Sequence, residues 1–429
     1  MKKRIILKAA IAASFSLLVL SCKQQPSVDV PVMAPVDADE LVSLHPEYLD
    51  GTDMLCPTGP VQLTPAPKGY KAFYLSHYGR HGARYAWQSD LYKRIHRVLG
   101  TAKEEDNLTE LGKDFRQRYE SLYPDVKYRT GDLSRKGFQQ QLELAERMYR
   151  NFPEIFTDDA YVMARTSTST RCAMTMSAFC LGLKGMNPKI EIFENFGKYF
   201  LPAVLPLDGS NPFREENYKV TEIPFEETYE QYVERTIDYK SILARLFKDP
   251  DKAVEPAKQW DFVSYLYFLA AGMNSLDTDI RFYDIFSPEE RIALWKADNF
   301  QFYCYARPTR YGYMPMLKDI VAMADERIAS GRKGADLRFG HDFTILPLMM
   351  LLNINGMGHE VTHPDEISSW CRTSQVPMGA NVHFVFYRNK EGNILFKVLH
   401  NGREATVGLE TDNWPYYSWE SFKASVLTD

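Results

Sequence analysis

Residues 71–84 have the sequence KAFYLSHYGRHGAR, and this stretch decides the fold. Residues 71–77 are a short apolar run of the kind that forms a buried strand, and the glycines at 79 and 82 predict a turn over residues 78–82. The loop that leaves a buried strand is where α/β proteins place their ligand-binding groups. The stretch therefore predicts a strand that delivers Arg80, His81 and Arg84 to a binding site.

Two arginines flank a histidine in this loop. A guanidinium stays protonated and offers forked donors that match the oxygens of a phosphate. A neutral imidazole is a competent nucleophile, and Gly82 allows a close approach of the backbone. The pattern indicates a phosphate site centred on His81, with a basic surface turn as the structural alternative.

Two further polar segments follow predicted strands. Residues 165–171 (RTSTSTR) close a strand predicted over 159–165 and open a helix predicted over 170–184, and a helix N-terminus attracts anions. Gly340-His341-Asp342 lies between a strand at 337–339 and an apolar helix at 344–352. Here His341 would be a cationic phosphate donor and Asp342 a proton donor. A capped helix start and a buried ion pair are the alternatives.

The remaining elements define the fold class. Residues 135–152 form an amphipathic helix with Ser134 as its N-cap, and residues 381–388 and 393–399 form a hairpin. Strands that alternate with helices at both ends of the chain predict an α/β fold, a layered sheet with flanking helices. Residues 205–333 predict a mainly helical cap inserted into a core made of residues 46–204 and 334–429.

Together these segments resemble the signatures of clade 2 of the histidine phosphatase superfamily. SHYGRHGAR, VMARTSTSTRCAMTMSAFCLGL and RFGHDFTILPLMMLL stand in the family's chain order, and the resemblance runs from about residue 70 to the end. Within that family the chain is most similar to multiple inositol polyphosphate phosphatases, through DLSRKGFQQQLELAERMYRNFPEIF and FSPEERIALWKADNFQFYCYA. Those enzymes usually carry His-Ala-Glu where this chain has His341-Asp342-Phe343, a form that resembles acid phosphatases and bacterial phytases.

The resemblance implies a phosphomonoesterase that works without a cofactor or metal. His81 would attack phosphorus and form a phosphohistidine, and Asp342 would protonate the leaving alcohol. The residues implied to hold the phosphate oxygens are Arg80, Arg84, Arg165 and His341. The implied substrate is an inositol polyphosphate such as phytate, with sugar phosphates or a broad range of phosphate esters as the alternatives.

The N-terminus predicts export and a lipid anchor. Residues 1–21 have the basic start and apolar run of a signal peptide, and Cys22 follows Ser21 as in a bacterial lipobox. We expect cleavage before Cys22 and its acylation, with an ordinary signal peptide and an incidental cysteine as the alternative. Residues 22–45 predict a tether, because residues 23–39 carry three prolines and no amphipathic period. The protein is expected in the periplasm or at the cell surface, attached to the membrane through its lipid alone.

Composition excludes several classes of protein. The 51 basic and 56 acidic residues leave a net charge of −5, so no basic surplus favours nucleic acid as a partner. Five cysteines remain besides Cys22, an odd number, so at least one thiol stays free. Cys172 and Cys180 are too far apart along one helix to form a disulfide.

Two other functions remain open at this point. Residues 359–363 (HEVTH) match the HExxH pattern of zinc proteases, but Gly356, Gly358 and Pro364 leave no long helix to carry it. A lipoprotein that only captures phosphorylated ligands would keep the arginines but would need neither His81 nor Asp342.

Overall fold

The computed structural model describes residues 34–427, so the predicted signal peptide and Cys22 lie outside the described residues. The described strands form one mixed sheet in the order β3-β2-β4-β1-β5-β6-β7, with β8 paired to β6. The strands are β1 (Lys71–Arg80), β2 (Tyr161–Thr166), β3 (Glu191–Phe196), β4 (Gly334–Gly340), β5 (Asn381–Arg388), β6 (Ile394–His400), β7 (Arg403–Ala405) and β8 (Tyr417–Ser418).

Helices cover both faces of this sheet. They are α1 (Ala38–Leu44), α2 (Leu91–Glu104), α3 (Glu110–Val126), α4 (Arg135–Asn151), α5 (Thr170–Met186), α6 (Leu201–Val204), α7 (Tyr229–Thr236), α8 (Tyr239–Ala244), α9 (Pro250–Ala253), α10 (Gln259–Gly272), α11 (Pro288–Thr309), α12 (Met314–Ser330), α13 (Asp342–Leu351), α14 (Ile367–Trp370) and α15 (Trp419–Val426). The α/β fold predicted from the sequence is confirmed.

The centre of the sheet is parallel, and this brings the predicted site segments together. Strand β4 pairs in parallel with both β1 and β2, whereas β5 and β6 are antiparallel. Arg80 lies opposite Gly340, and Thr166 lies opposite Phe339. The loops that leave β1, β2 and β4 therefore open at one edge of the sheet, as ligand loops do in open α/β sheets.

Two apolar cores hold the sheet between its helices. On one face α4 and α5 pack through Leu144, Met148 and Phe179 against Val162 and Leu337. On the other face a larger core joins the sheet to α12, α13 and the helical segment. Strand β4 is buried over its whole length and β1 over all but Lys71, which explains their near-continuous apolar sequences.

The predicted elements agree with the structure except at several boundaries. Ser134 caps α4 by accepting a hydrogen bond from the Gly137 amide, as predicted. Strand β1 continues to Arg80 instead of turning at Tyr78, because β4 and β5 pair with it up to that point. The sequence analysis missed the edge strand β3, whose side chains are exposed or half-buried and lack an apolar run.

The helical segment at 205–333 contains helices and no strand among its described residues. Its last helix, α12, packs on β1 and α6, so it belongs to the layer that covers the sheet and not to a cap. Conversely, α2 from the predicted core packs against α10. The division into a core and a cap stays a prediction. At its boundary, α12 packs with the predicted core, and α2 packs with the helical segment.

The predicted tether ends earlier than residue 45. Residues 38–44 form α1, whose first turn is capped by the side chain of Asp37. Val42 is buried against Leu49 and Trp295, and this apolar contact overrides the loop-like composition of the segment. An extended spacer therefore cannot reach beyond residue 37.

Residues 34–427 can also be searched for membrane-spanning helices and for disulfides. No helix in that range is long and apolar enough to cross a membrane. The cysteines in the same range, Cys56, Cys172, Cys180, Cys304 and Cys371, are all free thiols.

Candidate active site

The candidate site is a cavity of about 710 Å³ between the sheet edge and the helical segment. His81, Arg84 and Asp342 lie in its wall, as the sequence analysis expected, and Arg171 joins them. Arg80 and His341 lie directly behind this wall, fully or almost fully buried. The sequence-predicted residues other than Arg165 therefore meet at one place.

His81 is held as a neutral imidazole with one defined tautomer. Its side chain is buried, and its Nδ1 atom lies 3.0 Å from the carbonyl oxygen of Gly82. A carbonyl only accepts hydrogen bonds, so Nδ1 carries the hydrogen and Nε2 keeps its lone pair. Burial lowers the pKa of His81 well below its usual value, and the charge of Arg80 lowers it further. His81 is thus arranged as a nucleophile that stays unprotonated in acid.

Close packing fixes the loop that carries His81. A Cβ atom on Gly82 would lie 2.6 Å from the carbonyl oxygen of Gly137, and one on Gly137 would lie 2.0 Å from that of Ala83. The loop therefore lies directly against the first turn of α4, with no room for a side chain at either contact. Glycine is needed at both positions because of this approach of two backbones.

Arg80 acts from behind the cavity. One of its Nη atoms donates to the carbonyl oxygens of Thr52 and Val376, at 2.5 and 2.8 Å. The other lies 2.6 Å from the carboxylate of Asp342. Arg80 is therefore a rigid positive charge that positions Asp342. Arg84 is freer, since its nearest carboxylate, Asp53, lies 3.6 Å away.

The prediction that Arg165 binds phosphate is wrong in this structure. Its two Nη atoms donate to the carboxylate of Asp319 at 2.8 Å each, and the same carboxylate also accepts from Arg338. Arg165 is absent from the lining of the cavity. Asp319 lies on α12, a helix that the sequence analysis placed in the cap, so this pairing could not be foreseen.

Arg171 takes the place that was predicted for Arg165. It stands in the first turn of α5 and lines the cavity, with one Nη atom 3.2 Å from Nδ1 of His341. The signal for it was present in the sequence, since Arg171 is the second arginine of RTSTSTR and the one at the helix start. A helix N-terminus and a guanidinium together favour an anion at this point.

His341 is neutral, which corrects the expectation of a cation. Burial lowers the pKa of His341 to about 3, and the charge of Arg171 acts in the same direction. Arg171 can only donate, so Nδ1 accepts and Nε2 carries the hydrogen, 3.3 Å from the hydroxyl of Ser167. A neutral His341 has one N–H, on Nε2, so it can donate to a phosphate only by giving up its contact with the Ser167 hydroxyl.

Asp342 is ionised, although a protonated group was expected from the sequence. Burial raises the pKa of Asp342, but the charges of Arg80 and Arg84 outweigh burial and hold the pKa below its usual value. A proton can therefore reside on Asp342 only after a bound phosphate has taken up part of this positive charge.

The HExxH segment does not have the geometry of a zinc site. Residues 359–363 are not helical. His359 stacks on Trp370 at 3.9 Å between ring centroids, and Glu360 pairs with Arg307 at 2.7 Å. Nowhere in residues 34–427 do three or more metal-binding side chains gather. The two histidines therefore do not share a helical face, and the metalloprotease hypothesis loses its basis.

Comparisons with known proteins identify the family of the chain. The model of the histidine phosphatase superfamily (branch 2) matches residues 79–401. No curated protein sequence matches the chain.

Solved structures of related fold share most of the chain's length. The multiple inositol polyphosphate phosphatase of Bifidobacterium longum, in complex with inositol hexasulfate, has a TM-score of 0.71 at 17% identity over 88% of this chain and 97% of its own. The phytase from D. castellii has a TM-score of 0.62 at 17% identity over 89% and 84%. The fold, the arrangement around His81 and the family match lead to one conclusion: the chain belongs to branch 2 of the histidine phosphatase superfamily and is a phosphatase.

Proposed function

We propose that this phosphatase hydrolyses inositol polyphosphates such as phytate through a phosphohistidine on His81. The observation that carries the reaction is the neutral His81 imidazole in a cavity wall that also contains Arg84 and Arg171. Two guanidiniums beside a nucleophile stabilise the charge that spreads over phosphate oxygens in the transition state.

The reaction proceeds in two displacements. Nε2 of His81 forms a bond to phosphorus while the ester P–O bond breaks, and the leaving oxygen takes a proton from Asp342. Water then attacks the phosphohistidine, the N–P bond breaks, and Asp342 takes up the proton that the water loses. Covalent catalysis of this kind divides one difficult step into two easier ones.

The proton for the leaving group enters with the substrate. Asp342 is ionised before binding, and a phosphate monoester has its second pKa at about 6. Below that pH the monoanion brings one proton into the site. As its negative charge offsets the charges of Arg80 and Arg84 at Asp342, the pKa of Asp342 rises and the proton can transfer to it. The preference of the reaction for acidic pH therefore comes from the protonated substrate and Asp342, and it does not require a protonated His341.

The structural neighbours support an inositol polyphosphate as substrate, since their names include inositol polyphosphate phosphatase and phytase. A sugar phosphate is the second candidate, and one observation favours it. The helical segment contributes only neutral side chains to the cavity. These side chains are Ser264, Tyr265, Phe268, Gln301, Phe302 and Tyr305.

A comparison of catalytic efficiency, kcat/KM, for phytate, glucose 1-phosphate and an aryl phosphate tests the substrate. We expect phytate to have the highest value. A value for phytate far below the other two would reject the inositol assignment and leave a sugar phosphatase or a general acid phosphatase.

We also propose that the protein is a lipoprotein of the periplasm or cell surface, anchored through Cys22. Residues 20–22 precede the described range, so the proposal rests on the sequence alone. In that sequence, Leu20-Ser21-Cys22 follows an apolar run. In cells fed a labelled fatty acid, the wild-type protein should carry the label and sediment with membranes. Cys22→Ala should lose both properties, and Cys304→Ala should keep them. Label retained in Cys22→Ala would exclude this anchor.

A further inference from the structure

A polyphosphorylated substrate needs a place for the phosphate that does not react. Few cations line the catalytic cavity: among residues 34–427, its lining includes the arginines Arg84 and Arg171 and no lysine. Both lie beside the reacting phosphate, and the wall from the helical segment is neutral. A second phosphate must therefore be bound elsewhere, or not at all.

A second cavity of about 620 Å³ adjoins the first on the other side of Arg171. We call it the Arg135 groove. Its walls are the loop before α4, the first turn of α4 and the first turns of α5. Its charged lining residues are Arg129, Asp132, Arg135, Arg171 and Asp277. Arg171 lines both cavities, so one guanidinium can face two phosphates.

The groove offers donors that are not used within the protein. Arg135 is exposed, and among the described residues no hydrogen bond or ion pair engages its guanidinium. The side chain of Ser169, the N-cap of α5, makes no capping hydrogen bond, which leaves the amides of Thr170 and Arg171 in that 17-residue helix without a side-chain cap. By contrast, Arg129 is held by the hydroxyl of Tyr85 at 2.7 Å and by Asp132.

We propose that the Arg135 groove binds a second, non-reacting phosphate of a polyphosphorylated substrate, between Arg135 and Arg171. This inference rests on the proposed function, because it assumes a substrate with more than one phosphate. A guanidinium and helix amides provide charge-assisted hydrogen bonds to phosphate oxygens. The groove thus supplies the positive charge that the helical segment lacks.

The groove also contains negative charge, which makes the proposal more specific. Asp132 is neutralised by Arg129, but Asp277 is exposed at the edge that the helical segment forms and has no cationic partner among the described residues. Its carboxylate opposes a phosphate bound in the groove. Removing Asp277 and removing Arg135 should therefore change phytate binding in opposite directions.

Charge variants of the full-length protein test this site. Arg135→Glu should raise KM for phytate by about tenfold or more and Arg135→Ala by about three- to tenfold, since a hydrogen bond to a charged group is lost. Asp277→Asn should lower it by about two- to threefold, the size of one partly screened charge pair. The kcat/KM for an aryl phosphate should stay within about twofold, because a monophosphate leaves the groove empty.

The matched control is Arg150→Glu, on the last turn of the same helix and equal in charge change. Arg150→Glu should leave KM for phytate and kcat/KM for the aryl phosphate unchanged. Equal values of KM for phytate in Arg135→Glu and Arg150→Glu would overturn the groove, and so would an equal loss on phytate and aryl phosphate. A wild-type enzyme that hydrolyses aryl phosphate but not phytate would refute the proposed substrate and the groove with it. Failure to hydrolyse either would refute the proposed reaction.

Discussion

Asp298 on α11 carries a pH-dependent cost to stability that a single substitution should remove. Its carboxylate is buried, and neither oxygen has a hydrogen-bond partner. The neighbouring hydroxyl of Thr373 donates instead to Asn299, at 2.8 Å. Burial raises the pKa of Asp298 from 3.8 to about 7 in the folded chain. Between these values the folded protein keeps a proton that the unfolded chain has lost.

The sign and size of the effect follow from proton linkage. Since unfolding releases this proton, stability is greatest below the unfolded pKa and falls as pH rises toward the folded pKa. Each pH unit in that window costs about 1.4 kcal/mol, so the loss between pH 5 and pH 8 is about 2–3 kcal/mol. Asp298→Asn cannot ionise and should lack this part of the pH dependence.

Urea unfolding of both proteins at pH 5 and pH 8 measures the difference. The free energy of unfolding of Asp298→Asn relative to wild type should rise by about 2–3 kcal/mol from pH 5 to pH 8. Taking the difference between two pH values cancels any fixed cost of packing an amide. The exposed Asp412→Asn serves as control and should show no such rise. A parallel pH dependence of wild type and Asp298→Asn would show that Asp298 does not cause the loss of stability.

Four further predictions concern the reaction. Arg171→Ala should lower kcat/KM for aryl phosphate by about 10²–10³-fold, as for the loss of one transition-state donor, while an unchanged rate would remove Arg171 from the site. Asp342→Asn should lose about 10²–10⁴-fold on alkyl phosphates and much less on nitrophenyl phosphate, whose leaving group needs no proton, and equal losses would make Asp342 a positioning residue. The value of kcat/KM should fall as pH rises above about 6, because the substrate loses its proton there. It should persist well below pH 6.5, because the pKa of His81 is lowered. A rate that rises through alkaline pH would contradict this. Dialysis against a chelator should leave the rate unchanged, and a loss restored by zinc would count against arginine-based catalysis.

The parts of the site whose residues lie close together along the chain could be predicted from the sequence. Arg80, His81 and Arg84 leave one strand within five residues, and His341 and Asp342 leave another, so the pairing of β1 with β4 brings them together. The choice between Arg165 and Arg171 depended on a long-range contact. Asp319 lies more than 150 residues from Arg165 and captures it, and no local pattern contains that information.

Protonation was the least accessible property from sequence. The sequence analysis assigned a proton to Asp342 and a charge to His341 from their roles alone. Burial and the neighbouring guanidiniums reverse both assignments. Both causes depend on how β1, β4 and α5 bring Arg80, Arg84 and Arg171 around His341 and Asp342 in the folded chain.

The central claim is that phosphate is transferred to His81, and direct trapping of the intermediate tests it most closely. Wild-type enzyme mixed with a labelled aryl phosphate and quenched in alkali within one turnover should carry the label on the peptide that contains His81. His81→Ala should carry no label and hydrolyse no aryl phosphate. Label on another residue, or normal hydrolysis by His81→Ala, would contradict the account.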